Sequence, residues 1–171
     1  MATTHTLIAS STVGSGGAAN IEFTSIPATY TDLQLLLSVR YSGSDTESIL
    51  IDLNGTSTTY DVSVLRGTGS AAQGFSFSAG GAGGSTTGSS GSSQTANTFT
   101  NTSIYFTNYA GSDKKCLFTD FAQEANVVGA FQGIYTCLSS GTAAISAIRV
   151  TPGAGTWVQH STAHLYGISN S

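Results

Sequence analysis

Leu33-Gln34-Leu35-Leu36-Leu37-Ser38-Val39-Arg40-Tyr41 decides the fold class. Leu33, Leu35, Leu37, Val39 and Tyr41 fall on every second position, with Gln34, Ser38 and Arg40 between them. Successive side chains of a strand point to opposite faces, so this spacing predicts a strand with one buried face. Leu36 interrupts the polar register. Ile49, Ile51 and Leu53 repeat the pattern, and Asn54-Gly55 follows. Both residues of an Asn-Gly pair tolerate positive φ, so the pair predicts a tight hairpin, with Tyr60, Val62 and Val64 on the return strand.

Further strands are predicted over 99–109, 115–124, 127–138, 144–151 and 157–168, and shorter ones over 4–8 and 21–26. No helix-length window carries apolar residues at i, i+3, i+4 and i+7 without glycines and β-branched residues breaking it. The expected class is all-β: an antiparallel β-sandwich or jelly roll of roughly eight to ten strands. Residues 1–19 are expected to form an N-terminal arm on a glycine-rich hinge, and 20–171 a single β-sandwich domain. A flexible Gly/Ser loop is expected over 79–96, because such a composition buries too little apolar surface to offset its ordering entropy.

Composition limits the function. Asp, Glu, Lys and Arg make up 8% of the 171 residues, against about 25% in ordinary globular chains. With five basic residues and a formal charge of -4, the chain lacks the basic stripe that displaces counterions from nucleic acid. The Leu35–Leu37 run is far short of the roughly 20 apolar residues of a membrane span. Met1–Ala9 has neither a basic stretch nor a long apolar one, so no signal peptide is expected.

Few residues are candidates for chemistry. His160 and His164 have the spacing that chelates a metal on a helix. On the expected strand they stand ~13 Å apart, too far to share one ion. Asp52 and Asp61 flank the Asn-Gly turn, with Asp45 and Glu47 before it. Such carboxylates could act as acid and base on a glycan or hold calcium, but solvated strand-end carboxylates are the simpler reading. No Gly-x-Ser-x-Gly is present, and the glycines over 80–88 fit no phosphate-binding spacing. No catalytic residue, cofactor or metal site is therefore expected. If 115–124 and 127–138 turn about Asn126, residues whose numbers sum to 253 face each other. Cys116 then lies opposite Cys137, within reach of a disulfide; two reduced buried thiols are the alternative. The aromatic residues fit either a strand core or a sugar-stacking groove, and Trp157 and Tyr166 fit a subunit contact.

The segment Ile21–Leu37, the Asp52-Leu53-Asn54-Gly55 turn and the ending Ser161–Ile168 together resemble a group of small virion proteins of tailed bacteriophages, notably cyanophages and other aquatic phages. His160 stands where the family pattern has glycine, and His164 lies inside the closing motif. The resemblance implies a virion structural role. It suggests a capsid decoration or cement protein, a homotrimer made in the host cytoplasm and seated on the capsid surface, bridging major capsid subunits. The alternative it implies is a tail or head fibre tip that binds a host surface glycan. Leu7 and Ile8 of the arm, with Trp157, His160, His164 and Tyr166 of the closing strand, are the expected interface residues.

Overall fold

The computed structural model describes residues 4–56, 58–79, 84–124 and 130–169. The described residues form twelve strands and no helix: β1 His5–Thr12, β2 Ile21–Phe23, β3 Asp32–Val39, β4 Glu47–Leu53, β5 Tyr60–Gly67, β6 Ala72–Ala79, β7 Gly84–Ser89, β8 Thr100–Thr107, β9 Cys116–Gln123, β10 Gln132–Ser139, β11 Ile148–Pro152 and β12 Thr162–Ile168. They form an eight-stranded sheet in the order β1-β12-β3-β8-β9-β10-β5-β6 and a four-stranded sheet in the order β2-β11-β4-β7. All strand pairs are antiparallel.

The order resolves into a jelly roll with additions. The orders β1-β12-β3-β8 and β2-β11-β4-β7 are the two four-stranded sheets of a jelly roll, formed by β1, β2, β3, β4, β7, β8, β11 and β12 taken as its eight strands. The hairpin β5–β6 is inserted between the fourth and fifth of these, and the hairpin β9–β10 between the sixth and seventh. Both add to the free side of β8 and double the width of that sheet. Beneath the added wing, β7 packs against β8, β9, β10 and β5.

The core follows from the alternation. Leu33, Leu35, Leu37 and Val39 of β3 face Ile49 and Ile51 of β4 and Ile148 and Val150 of β11, all buried. Burying each such side chain contributes about 1.5–3 kcal/mol. Trp157 is fully buried and its indole N–H donates to the Val150 carbonyl at 3.1 Å. Arg40, just past β3, is also buried. Its guanidinium donates to the carbonyls of Thr95 (2.8 Å), Thr98 (2.9 Å) and Gln94 (3.2 Å), and so holds the β7–β8 connection.

Several expectations are corrected. The described residues form twelve strands where roughly eight to ten were expected. The expected arm is a sheet strand: His5–Thr12 pairs with β12, and Val13 of the expected hinge is buried. Met1–Thr3 lie outside the described residues. The expected loop over 79–96 contains β7, whose backbone pairs with β4; its residues 80–83 lie outside the described set. The predicted strand over 157–168 begins only at Thr162.

Asn54 and Gly55 do adopt positive φ, at 60° and 64°, but β4 and β5 belong to different sheets. The turn is a crossover. Asn54 Oδ1 accepts from the backbone N–H groups of Ser146 and Ala147, and its amide donates to the Ala144 carbonyl. Those bonds tie the turn to the loop before β11 rather than to a return strand.

The β9–β10 hairpin forms one residue out of the expected register. Cys116 pairs with Leu138 and Cys137 with Leu117. A one-residue slip moves a side chain to the other face. Cys116 is therefore exposed, Cys137 is buried and both are free, which excludes the disulfide and corrects the expectation that both thiols are buried. The turn about Asn126 lies outside the described residues.

Candidate docking surface

The eight-stranded sheet has one face against the core and one face open. Residues alternate between them, so outward positions can be followed from strand to strand. One row runs Leu7, Tyr166, Gln34, Tyr105, Phe118, Thr136, Ser63, Ser76 across all eight strands. The adjacent row runs Ser10, His164, Leu36, Ser103, Asp120, Ile134, Leu65, Gly74. Leu65 is 62% exposed, Leu7 51% and Phe118 43%, and Leu36, Ile134 and Leu138 are exposed on the same face.

No Lys or Arg lies at an outward position of these strands; the charged residues there are Asp32, Asp61 and Asp120. Asp32 is buried and already engaged. Its carboxylate accepts from the Tyr105 hydroxyl and from the Asn108 N–H, each at 2.7 Å. Burial, and then the bond to Asp32, push the Tyr105 hydroxyl up to about 12. Small residues between the apolar ones leave two shallow grooves of about 430 Å³ each. One is lined by Leu65, Gly74, Ile134 and Thr136, the other by Leu36, Asn101, Asp120 and Ala122.

The outer face of the four-stranded sheet differs. There Arg149 pairs with the buried Asp52, and Glu22 lies opposite Arg149. Asp52 and Asp61 consequently point away from opposite sides of the sandwich. Asp61 accepts from the Ser78 hydroxyl at 2.7 Å, so the pair considered for acid–base work does not converge. Among the described residues no group of three His, Cys, Asp or Glu side chains is placed to hold a metal ion.

The expected interface residues separate. Leu7 and Tyr166 are direct cross-strand partners on the open face. His164 lies in the next row, half-buried between Ser10 and Leu36. Ile8 sits at the β1 bulge and packs on the core. His160 is exposed in the turn before β12 at φ 72°, so the two histidines do not share a strand. Trp157, expected at a subunit contact, is interior instead. Leu36, Leu65, Phe118, Ile134 and Leu138 had not been anticipated. Each is an apolar residue at a position where alternation calls for a polar one, and that mismatch is the readable signal.

A further groove of about 300 Å³ opens on the core side, where β6 projects past the smaller sheet. Phe75, Phe77, Phe131, Arg66 and Glu47 line it. The Arg66 guanidinium carbon lies 5.1 Å from the Phe75 ring centre and 4.8 Å from that of Phe131. No known protein family, curated protein sequence or solved structure matches this chain.

Proposed function

We propose that this chain is a virion structural protein without catalytic activity, a capsid decoration or cement protein that bridges major capsid subunits through the open face of its eight-stranded sheet. The observation that carries the reading is the set of exposed Leu36, Leu65, Phe118, Ile134 and Leu138 on a face whose strands carry no outward Lys or Arg. Clusters of exposed apolar residues such as Phe118, Ile134, Leu138 and Leu65 on neighbouring strands mark interaction sites. The resemblance of both chain ends to phage virion proteins supplies the setting. The jelly roll, an architecture shared by viral capsid and lectin domains, supports it by analogy.

The test is localisation and copy number on intact particles. Decoration requires hundreds of copies per particle with density at the capsomers. A Leu36→Glu/Ile134→Glu variant should fold, by circular dichroism, yet fail to bind particles stripped of the protein. Unaltered binding by that variant, or absence of the chain from the capsid, refutes the reading. A second reading, a fibre tip binding a host glycan, is favoured by the Phe75–Arg66–Phe131 groove, which offers ring faces beside polar groups. It requires a few to dozens of copies at an appendage and loss of glycan binding in Phe75→Ala.

A further inference from the structure

We infer that β6 is completed by a second copy of the same chain, through antiparallel β6–β6 pairing about a two-fold axis, which joins two eight-stranded sheets into one. This pairing does not depend on the capsid reading.

The argument begins with the sheet edges. An edge strand presents unpaired N–H and C=O groups, and proteins protect such edges with bulges, charges, prolines or shortness. β1 carries a bulge at Ile8. β2 is three residues long and contains Glu22. The β4–β7 ladder shifts register beside Ile49 and Leu50. β6 has none of these devices. Its eight residues, Ala72 to Ala79, include no charge and no proline, and its ladder with β5 is unbroken. Among the described residues nothing pairs with its outer edge. Ala72 through Ser78 are all exposed.

The occupant follows from the sequence of the strand. Phe75 and Phe77 flank Ser76 symmetrically and stack on each other, centroids 6.1 Å apart. With the two-fold axis at Ser76, Phe75 lies opposite the partner's Phe77, and Ser76 opposite the partner's Ser76. Residues directly opposite in an antiparallel pair share a face, so four rings gather on the core side, where 40% of Phe75 and 36% of Phe77 are now exposed. An uncharged strand meets its own copy without repulsion. A two-fold axis normal to the sheet also turns both open faces the same way, which doubles the surface described above.

Sedimentation velocity over a concentration series tests this on the full chain. The wild type should form a dimer. Ser76→Lys and Ser76→Glu each place like charges face to face and should weaken self-association about fivefold, the size of a directly opposed like-charge pair. An equimolar mixture of the two variants should associate as a heterodimer at least as well as wild type. That restoration separates a lost contact from a misfolded chain. A trimer, a dimer indifferent to both variants, or a mixture that stays monomeric overturns the inference. A wild type monomeric at all concentrations overturns it too, in favour of an edge completed by a different protein.

Discussion

Replacing Arg40 with methionine should loosen the β7–β8 connection and lower the stability of the whole roll. Methionine keeps much of the apolar stem but removes the guanidinium. Three backbone carbonyls, at Gln94, Thr95 and Thr98, then lose donors at 2.8–3.2 Å. A hydrogen bond to a charged group is worth about 1.5–3 kcal/mol. Part of that is returned, because a buried cation no longer has to be desolvated, the Thr95 carbonyl keeps the Thr98 N–H and hydroxyl as donors, and water reaches the other two. About 1 kcal/mol per carbonyl gives a net loss of about 3 kcal/mol. In a chain of this size that lowers Tm by roughly 6–12 °C. Urea unfolding followed through the fluorescence of Trp157, the single tryptophan, measures the loss. Hydrogen exchange should accelerate at Gln94 and Thr98, whose N–H groups bond within the same loop, to Gly91 and Thr95. Arg40→Lys should recover less than half, since an ammonium cannot reproduce the planar fork. A loss below about 1 kcal/mol with unchanged exchange in that loop would refute the clamp.

Two further outcomes follow from the hairpin and the Tyr105–Asp32 bond. Cys116 is exposed, while burial pushes the Cys137 thiol up to about 12, so a thiol reagent should label one cysteine in the native chain and two after unfolding. Labelling of both in the native state would contradict the register of β9 and β10. Tyr105 ionises at about 12 rather than the ordinary 10. Its folded value is raised, so its stabilising contribution is full below pH 10 and is lost as pH climbs through about 12. The stability gap between wild type and Tyr105→Phe should hold below pH 10 and narrow above it. A tyrosine difference titration showing no late-ionising group at Tyr105 would discard that bond.

Strand existence was legible in the sequence wherever apolar residues alternate with polar ones, as in β3, β8 and β9. Pairing was not. Asn54-Gly55 was read correctly as a turn, yet the hairpin drawn from it does not exist, because Asn54 spends its side chain on the loop before β11. Local turn chemistry fixes the direction of the chain but not the sheet that receives it. The cysteine register failed by one residue, since nothing local anchors a count through a turn of unknown length. β6 was missed although Phe75 and Phe77 alternate with Gly74, Ser76 and Ser78. Its faces are exposed, so its pattern carries no strong contrast between core and solvent. The candidate docking face was legible only in reverse, as leucines, isoleucine and phenylalanine at positions where a polar residue would have satisfied the strand.

The two inserted hairpins set the breadth of the larger layer. At strand spacing of about 4.8 Å the wide layer measures roughly 34 Å across and the narrow layer roughly 14 Å. Both hairpins enter at connections between roll strands, so the eight strands of the roll keep their mutual order whether one, two or more are present. The hairpins still carry their own packing load, since Val62, Val64, Leu117 and Tyr135 extend the same core against β7. A lineage could retune how far such a molecule reaches by adding or trimming ribbons at one margin, with the order of the roll strands kept.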